Sequence, residues 1–467
     1  MVLVPRGIVL PMTSESLEVD VLVIGWGKAG KTLAGLLAGK GRRVALVEKS
    51  SEMYGGSCIN IACIPTKDLI VSAENRRESD DPATYFASSV GDRDTLINKL
   101  RSVNHGMLEG KVTLLDGFAS FTSAHTVSVA AGSETLEVTA ETIIINVGTI
   151  PNVPDIPGAD LPGVFDSTTI QHVSPFPARL GIIGGSFIAM EFASMFRNFG
   201  SEVTMLDRSE TFGKRLDEDV AAVVRADLEG AGVKIVSGAR VASISSSEGG
   251  VRISLEDGSS FDYDAALLAT GRTPATAGLN LEAAGIETNE RGFIRVDDHL
   301  LTNVPGIYAV GDVNGGPQFT YVSYDDHRIV ADHLLGSGTR AVSDRVAVPT
   351  TTFLTPPLAT VGMTESEARE SGRSVLVASA PVASIAVMPR PKIVGDPRGI
   401  VKFLVDADSE QILGATLYCI DSQELINTVA LAMRMGASYK MLLDGIWTHP
   451  SSTEAFNGVL GNLKPLG

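Results

Sequence analysis

Twice along this 467-residue chain a short apolar run leads into a small-residue loop, a helical stretch and a second strand that ends in an acid. The first copy is VDVLVI (19–24), then GWGKAG, a predicted helix over 31–39, and VALVE closing at Glu48. Gly25, Gly27 and Gly30 match G-x-G-x-x-G. The first glycine permits the tight turn, the second lets backbone approach a pyrophosphate, and the third lets helix pack on strand. Glu48 stands where an acid accepts hydrogen bonds from a ribose. The second copy is LGIIGGSFIAMEFASMFRNFGSEVTMLD, in which Gly184, Ser186 and Ala189 occupy the three glycine positions and Asp207 closes the strand. Two such βαβ units imply two dinucleotides, the combination used by a flavin enzyme fed by a nicotinamide.

A chain of this length exceeds one compact core and predicts about three domains. The net charge of −17 argues against a nucleic-acid or anionic-membrane partner, because phosphate binding needs clustered Lys and Arg. No apolar run approaches the roughly 20 residues that cross a bilayer, so a soluble protein is expected. With three cysteines there is no structural disulfide framework, and a reducing cytoplasm is the natural compartment. The opening residues MVLVPRGIVLPM lack a clear cleavage site for a secretory signal. Within them LVPRG (3–7) is similar to a protease recognition sequence and Met12 reads as an alternative start, so residues 1–17 are left out of the fold reading.

Between and after the two nucleotide folds lie IIINVGTIPNVP and LLATGRTPAT, apolar strands ending in turns at Gly148 and Gly271 and read as crossings between domains. IYAVGDV repeats the strand-turn logic and places Gly311 and Asp312 where a carboxylate could bond a ribityl hydroxyl. From about Val346 the pattern changes to alternating strands (IVKFLVD, ILGATLYCI), a helix (SQELINTVALAMRMG) and a terminal THPSSTE, which predicts a third, α+β domain.

Cys58 and Cys63 sit in GGSCINIACIPTK. On a regular helix their Cα atoms would be roughly 8.6 Å apart, outside the usual disulfide range of about 4.4 to 6.8 Å. A bridge must therefore bend the helix, and Gly55, Gly56 and Pro65 supply irregular backbone. On spacing alone the pair reads equally as a reducible disulfide or as two buried free thiols.

The surrounding motifs decide between them. Taken in order, the glycine loop, GGSCINIACIPTK, the second nucleotide fold and the HP-x-x-x-E terminus resemble the pyridine nucleotide-disulfide oxidoreductases over essentially the whole chain from Val19. Phrases such as MYGGSCINIACIPTK and TPPLATVGMTESEARESG are most similar to the reactive chlorine resistance branch. The chain ends GVLGNLKPLG, without the terminal vicinal cysteine pair of mercuric reductases.

The resemblance implies an α/β fold with two Rossmann-like domains, for FAD and NAD(P), plus a C-terminal α+β dimerisation domain. It implies boundaries of 18–150 and 273–345 for the FAD domain, 151–272 for the NAD(P)H domain and 346–467 for the interface. It makes Cys63 the thiolate against the flavin and Cys58 the thiol that meets substrate. It sets Lys67 near flavin N5, paired with Glu191, and Phe187 where many relatives carry a tyrosine gate. His449 and Glu454 become an acid/base pair reaching into the partner subunit of a homodimer. An imidazole suits proton shuttling to a thiolate, and a carboxylate fixes its tautomer.

Ala62 replaces the usual glycine and Ser451 the usual threonine. Cys419 is read as core, and no metal ligands are expected. Asp207 suits a free ribose hydroxyl, whereas Arg208 and Lys214 stand where NADPH-using relatives place bases for the 2′-phosphate, so the nicotinamide is written NAD(P)H. The implied activity is reduction of a small oxidant, either a reactive chlorine species, hypothiocyanous acid or a metal ion such as Cu(II). Dihydrolipoyl dehydrogenase, glutathione-type or mercuric reductase activity is the enzymatic alternative, and a redox-sensing flavoprotein the non-enzymatic one.

Overall fold

The computed structural model describes residues 16–467, so the LVPRG segment and Met12 lie outside the described residues. The chain forms two compact units. One holds the chain through Asp68 together with Ser89–Asn152 and Gly271–Asp344, and the other holds Leu69–Ser88, Val153–Thr270 and Arg345–Gly467.

In the first unit a seven-stranded sheet is built on Ser16–Ile24, which pairs in parallel with Val44–Glu48 on one side and Glu134–Ile145 on the other. A strand with parallel neighbours on both edges is covered on both faces, which is why Val21 to Ile24 are all buried and read as a continuous apolar run. Besides Ser16–Ile24, Glu134–Ile145 is long enough to serve two further partners. Its first half pairs antiparallel with Thr126–Ala131, and its end pairs in parallel with Ile307–Ala309 of the return segment. The crossing segments meet each other as a short antiparallel pair, Thr149–Pro151 with Arg272–Pro274.

The helix after the glycine loop runs Lys28–Gly39, three residues earlier than the sequence predicts, and buries Ala29, Leu33, Ala34 and Leu37 on one face. Gly30 therefore lies inside the first turn. A Cβ there would come within 2.8 Å of Val23 and 3.0 Å of Asn146, so close packing, not helix propensity, sets this start.

The second unit carries a five-stranded parallel sheet with Arg179–Ile183 at its centre, between Glu202–Asp207 and Ala265–Leu268. It also carries a six-stranded antiparallel sheet formed by the C-terminal region, against which the helix Ser422–Arg434 packs. The strand Ile400–Asp406 departs from the alternation its sequence suggests, since all seven residues are buried. Lys402 is the reason this is tolerable. Its ammonium meets Asp219 at 2.7 Å and Asp217 at 3.0 Å, and also pairs with Glu365. Those three carboxylates are the one cluster among the described residues with the spacing of a metal site, and a lysine fills its centre.

Candidate active site

Cys58 lies on a single helical turn, Ser57–Asn60, launched by Gly55 and Gly56 at φ 99° and 83°. The helix then breaks at Ile61 (φ −139°), and a new helix, Cys63–Glu74, begins at the second cysteine. The bend expected between the cysteines is thus made at Ile61–Ala62. Pro65 falls in the first turn of the new helix, where its missing N–H has no intrahelical partner to lose. The break brings the two thiols into hydrogen-bonding contact.

The two sulfurs are not equivalent. The bond from Cys58, the Thr320 hydroxyl at 3.4 Å and the Lys67 cation bring Cys63 down to about 6 against the cost of burial. A position at the head of a helix acts in the same sense. Cys58 is pushed up, chiefly by its bond to Cys63 and by burial. Both shifts act in the direction that favours the charge on Cys63 over Cys58 when the pair is reduced.

Beside this pair the glycine loop is held open by polar groups from distant segments. Asn146 Oδ1 accepts from Gly30 N at 2.8 Å, and its Nδ2 donates to Val310 O at 2.6 Å. Ala29 N donates to Ser323 Oγ, and Gly311 N to the buried Asp326 at 2.5 Å. Glu48 is buried and accepts from Trp26 N and Ser50 N, which fixes its carboxylate under the loop. Burial raises its proton affinity.

Asp312 accepts from Thr149 Oγ1 at 3.0 Å, with Arg272 bonded to the same threonine. Burial raises Asp312 against these contacts. Gly148 and Gly271, both at positive φ, face open space. The helix Lys28–Gly39 starts at Gly27 with no N-cap side chain and no acid in its first turn, so its amino end at Gly27 and Lys28 suits a pyrophosphate. These features fit a flavin dinucleotide.

In the second nucleotide fold Gly184 adopts φ 134°, and Ser186 Oγ caps the helix Phe187–Phe199 by accepting from Ala189 N. Asp207 is buried, with one oxygen on Ser209 N, and it lies so close to Gly185 that a Cβ there would overlap the carboxylate. Arg208 and Lys214 are exposed. Phe187 opens the helix and is 37 % exposed. Glu191, one turn on, is buried and accepts from Phe353 N at 2.9 Å. Near the C-terminus His449 Nδ1 lies 2.9 Å from Glu454 Oε1, and Glu454 also accepts from Ser451 N. The imidazole is exposed, and its bond holds Glu454 below the usual carboxylate range. Cys419 is fully buried, its thiol pushed up to about 12, as a core residue should be.

The sequence reading missed Asn146, Thr320, Ser323 and Asp326. Asn146, Thr320 and Ser323 each act on a segment far away in sequence, whereas Asp326 acts on Gly311 from the helix that follows it; the polar residue that closes IIIN was the only local signal.

A family profile described as pyridine nucleotide-disulphide oxidoreductase matches residues 19–326, and one for the dimerisation domain of that family matches 348–459. The chain is 46% identical over 448 residues to the probable pyridine nucleotide-disulfide oxidoreductase RclA of Escherichia coli K12, covering 95% of this chain and 99% of that protein. It is 32% identical over 442 residues to a mercuric reductase of Staphylococcus aureus, covering 91% and 79%. A solved structure, the Cu(II) complex of the HOCl-induced flavoprotein disulfide reductase RclA from Escherichia coli, superposes with a TM-score of 0.91 at 45% identity, covering 95% of this chain and 99% of that one.

Proposed function

The chain belongs to the pyridine nucleotide-disulphide oxidoreductases, enzymes that use FAD and NAD(P)H, and we propose that it passes two electrons through a Cys58–Cys63 disulfide to a small oxidant. In this reading residues 18–150 and 273–345 hold FAD, 151–272 hold the nicotinamide and 346–467 form a homodimer interface. The observation that carries it is the contact between the two thiols across a helix break, with Cys63 at the head of the second helix and 3.4 Å from the Thr320 hydroxyl.

FAD, when bound, supplies a hydride acceptor for the nicotinamide and a two-electron donor for the sulfurs. The helix amino end at Gly27 and Lys28 would hold its pyrophosphate, Glu48 a ribose and Asp312 the ribityl chain. Gly184, Ser186 and Ala189 would form the corresponding loop for NAD(P)H, with Asp207 for its ribose and Arg208 and Lys214 for a 2′-phosphate. Opening the disulfide takes two electrons and one proton. Cys63 keeps the negative charge beside Lys67, and Cys58 takes the proton. With an oxidant X–OH such as hypochlorous or hypothiocyanous acid, the Cys58 sulfur bonds to X as the X–O bond breaks, and the hydroxide leaves as water with the Cys58 proton; Cys63 then attacks Cys58, breaks the S–X bond, closes the disulfide and releases X−. With Cu(II), two ions would each take one electron as the disulfide closes and the proton is lost. His449, exposed on its own chain and fixed by Glu454, exchanges the proton at the partner's Cys58 site.

The relative named above is HOCl-induced and was solved with Cu(II). By that likeness we assign this chain a reactive chlorine species, hypothiocyanous acid or Cu(II) as oxidant. Three cysteines, too few for a structural disulfide framework, suit the cytoplasm, and no described helix is long and apolar enough to cross a membrane. Steady-state turnover with hypothiocyanous acid, Cu(II), Hg(II), lipoamide and glutathione disulfide tests the assignment. The first two should give the highest kcat/KM, and a preference for lipoamide or glutathione disulfide would overturn it.

A further inference from the structure

Each of the two sulfurs has a lysine acting on it. Lys67, one helical turn after Cys63, favours the Cys63 thiolate. The second lysine is Lys31, which follows the last glycine of the flavin loop on the helix Lys28–Gly39 and opposes the rise of Cys58.

Lys31 does not run out to solvent. Its Nζ donates to Gly55 O at 3.1 Å and to Asn104 Oδ1 at 2.5 Å. Asn104 is buried and anchored through Nδ2 to Leu100 O at 2.8 Å. Gly55 begins the turn that carries Cys58. A side chain on Gly56 would strike the backbone of Gly27 at 2.9 Å, so the cysteine turn and the flavin loop are in direct contact. Lys31 joins the two at this contact, its cation clamped three residues before the reactive sulfur.

We propose that Lys31 is a positioning residue for Cys58, clamping the Gly55–Gly56 turn and supplying the positive charge that favours the Cys58 thiolate once the disulfide is open. This rests on the reading of Cys58 as the thiol that meets substrate. Burial and the Lys28 charge bring the Lys31 ammonium down to about 8, and Cys58 acts on it in the opposite sense. The other charges around the cysteine turn are the Cys63 thiolate, with Lys67 and Asp312 acting on it, and an Arg101–Glu52 pair. Arg101 Nε also donates to Asn60 Oδ1 at the end of the turn. None of these gives Cys58 a compensating cation as Lys31 does. An opposite charge within about 4 to 6 Å lowers a thiol's pKa by about one unit or more, which is about ten-fold in thiolate at a pH below it.

The test uses the FAD-loaded full-length enzyme, reduced anaerobically and treated with iodoacetamide from pH 5.5 to 9.5, with alkylation of each cysteine read by peptide mass spectrometry. Lys31→Met should slow Cys58 alkylation about ten-fold at neutral pH and move its profile up by about one unit. Lys31→Arg, which keeps the charge, should restore most of the rate, and the long-wavelength absorbance from Cys63 should survive in both. An unchanged profile in Lys31→Met overturns the proposal. So does a Lys31→Arg profile no better than that of Lys31→Met, since packing alone would then explain the effect. If Lys31→Met fails to retain FAD, Asn104→Ala replaces it, leaving the lysine charged but unclamped. Slower Cys58 alkylation is then expected, and a wild-type profile overturns the clamp. Wild-type enzyme alkylated at Cys63 and not at Cys58 would instead sink the assignment of the outer thiol.

Discussion

Thr320 Oγ1 lies 3.4 Å from Cys63 Sγ, and each residue opens its own helix, Thr320–Leu335 and Cys63–Glu74. Two helix amino ends therefore meet at one sulfur, a placement that favours an anion. Thr320→Val should raise the Cys63 pKa from about 6 by about one unit, because a hydrogen bond to a charged group is worth about 1.5 to 3 kcal/mol. A lowered thiol pKa means that the thiolate is lost as pH falls through it. The long-wavelength absorbance of the reduced enzyme should fade below about pH 6 in the wild type and about one unit higher in the variant. A midpoint that does not move would show that the hydroxyl does not act on the thiolate.

The His449–Glu454 pair should separate the two half-reactions. His449→Gln is expected to slow oxidant turnover about a hundred-fold, the low end of general acid–base catalysis, and Glu454→Gln, which only positions the imidazole, by less. Flavin reduction by NAD(P)H, followed by stopped flow, should be unaffected. Deleting the terminus is a poorer test, because Phe456, Val459 and Leu460 are buried in the C-terminal core and Lys464–Pro465 pairs with Val375–Pro381.

Lys402→Met should be strongly destabilising. Removing the cation leaves Asp217, Asp219 and Glu365 facing one another without a counter-charge, and breaking a buried pair costs about 3 to 5 kcal/mol. A thermal melt should show a loss of several degrees. An unchanged Tm would mean that the carboxylates rearrange into solvent.

Nicotinamide choice is expected to depend on Asp207, Arg208 and Lys214. Alanine at both exposed bases should weaken NADPH use about ten-fold or more relative to NADH, since a charge-assisted contact is worth about 1.5 to 3 kcal/mol. Asp207→Asn should favour NADPH by removing a carboxylate beside the phosphate. Comparison of kcat/KM for both nucleotides decides the point, and equal losses in the double variant would place the bases in solvent.

The glycine loops, the acids after them and the cysteine motif were legible because each depends on local backbone chemistry. The start of the first helix at Lys28 was not, because Gly30 is held there by Val23 and Asn146. The break at Ile61 carries no glycine or proline to announce it. Ser323 reaches Ala29 across 294 residues of sequence, and no local pattern encodes such a contact. Lys402 stands in an alternating strand that suggests an outward face, and only the carboxylates gathered from elsewhere in the chain explain its burial. The transfer of Leu69–Ser88 to the other compact unit likewise has no compositional marker.

The assignment of the two sulfurs is tested most directly by anaerobic NAD(P)H titration of the wild type, Cys58→Ser and Cys63→Ser, followed at long wavelength. A Cys63 thiolate beside the flavin predicts that Cys58→Ser keeps the absorbance and Cys63→Ser abolishes it. Retention of the absorbance in Cys63→Ser, with loss in Cys58→Ser, would reverse the roles of the two cysteines and contradict the proposed relay.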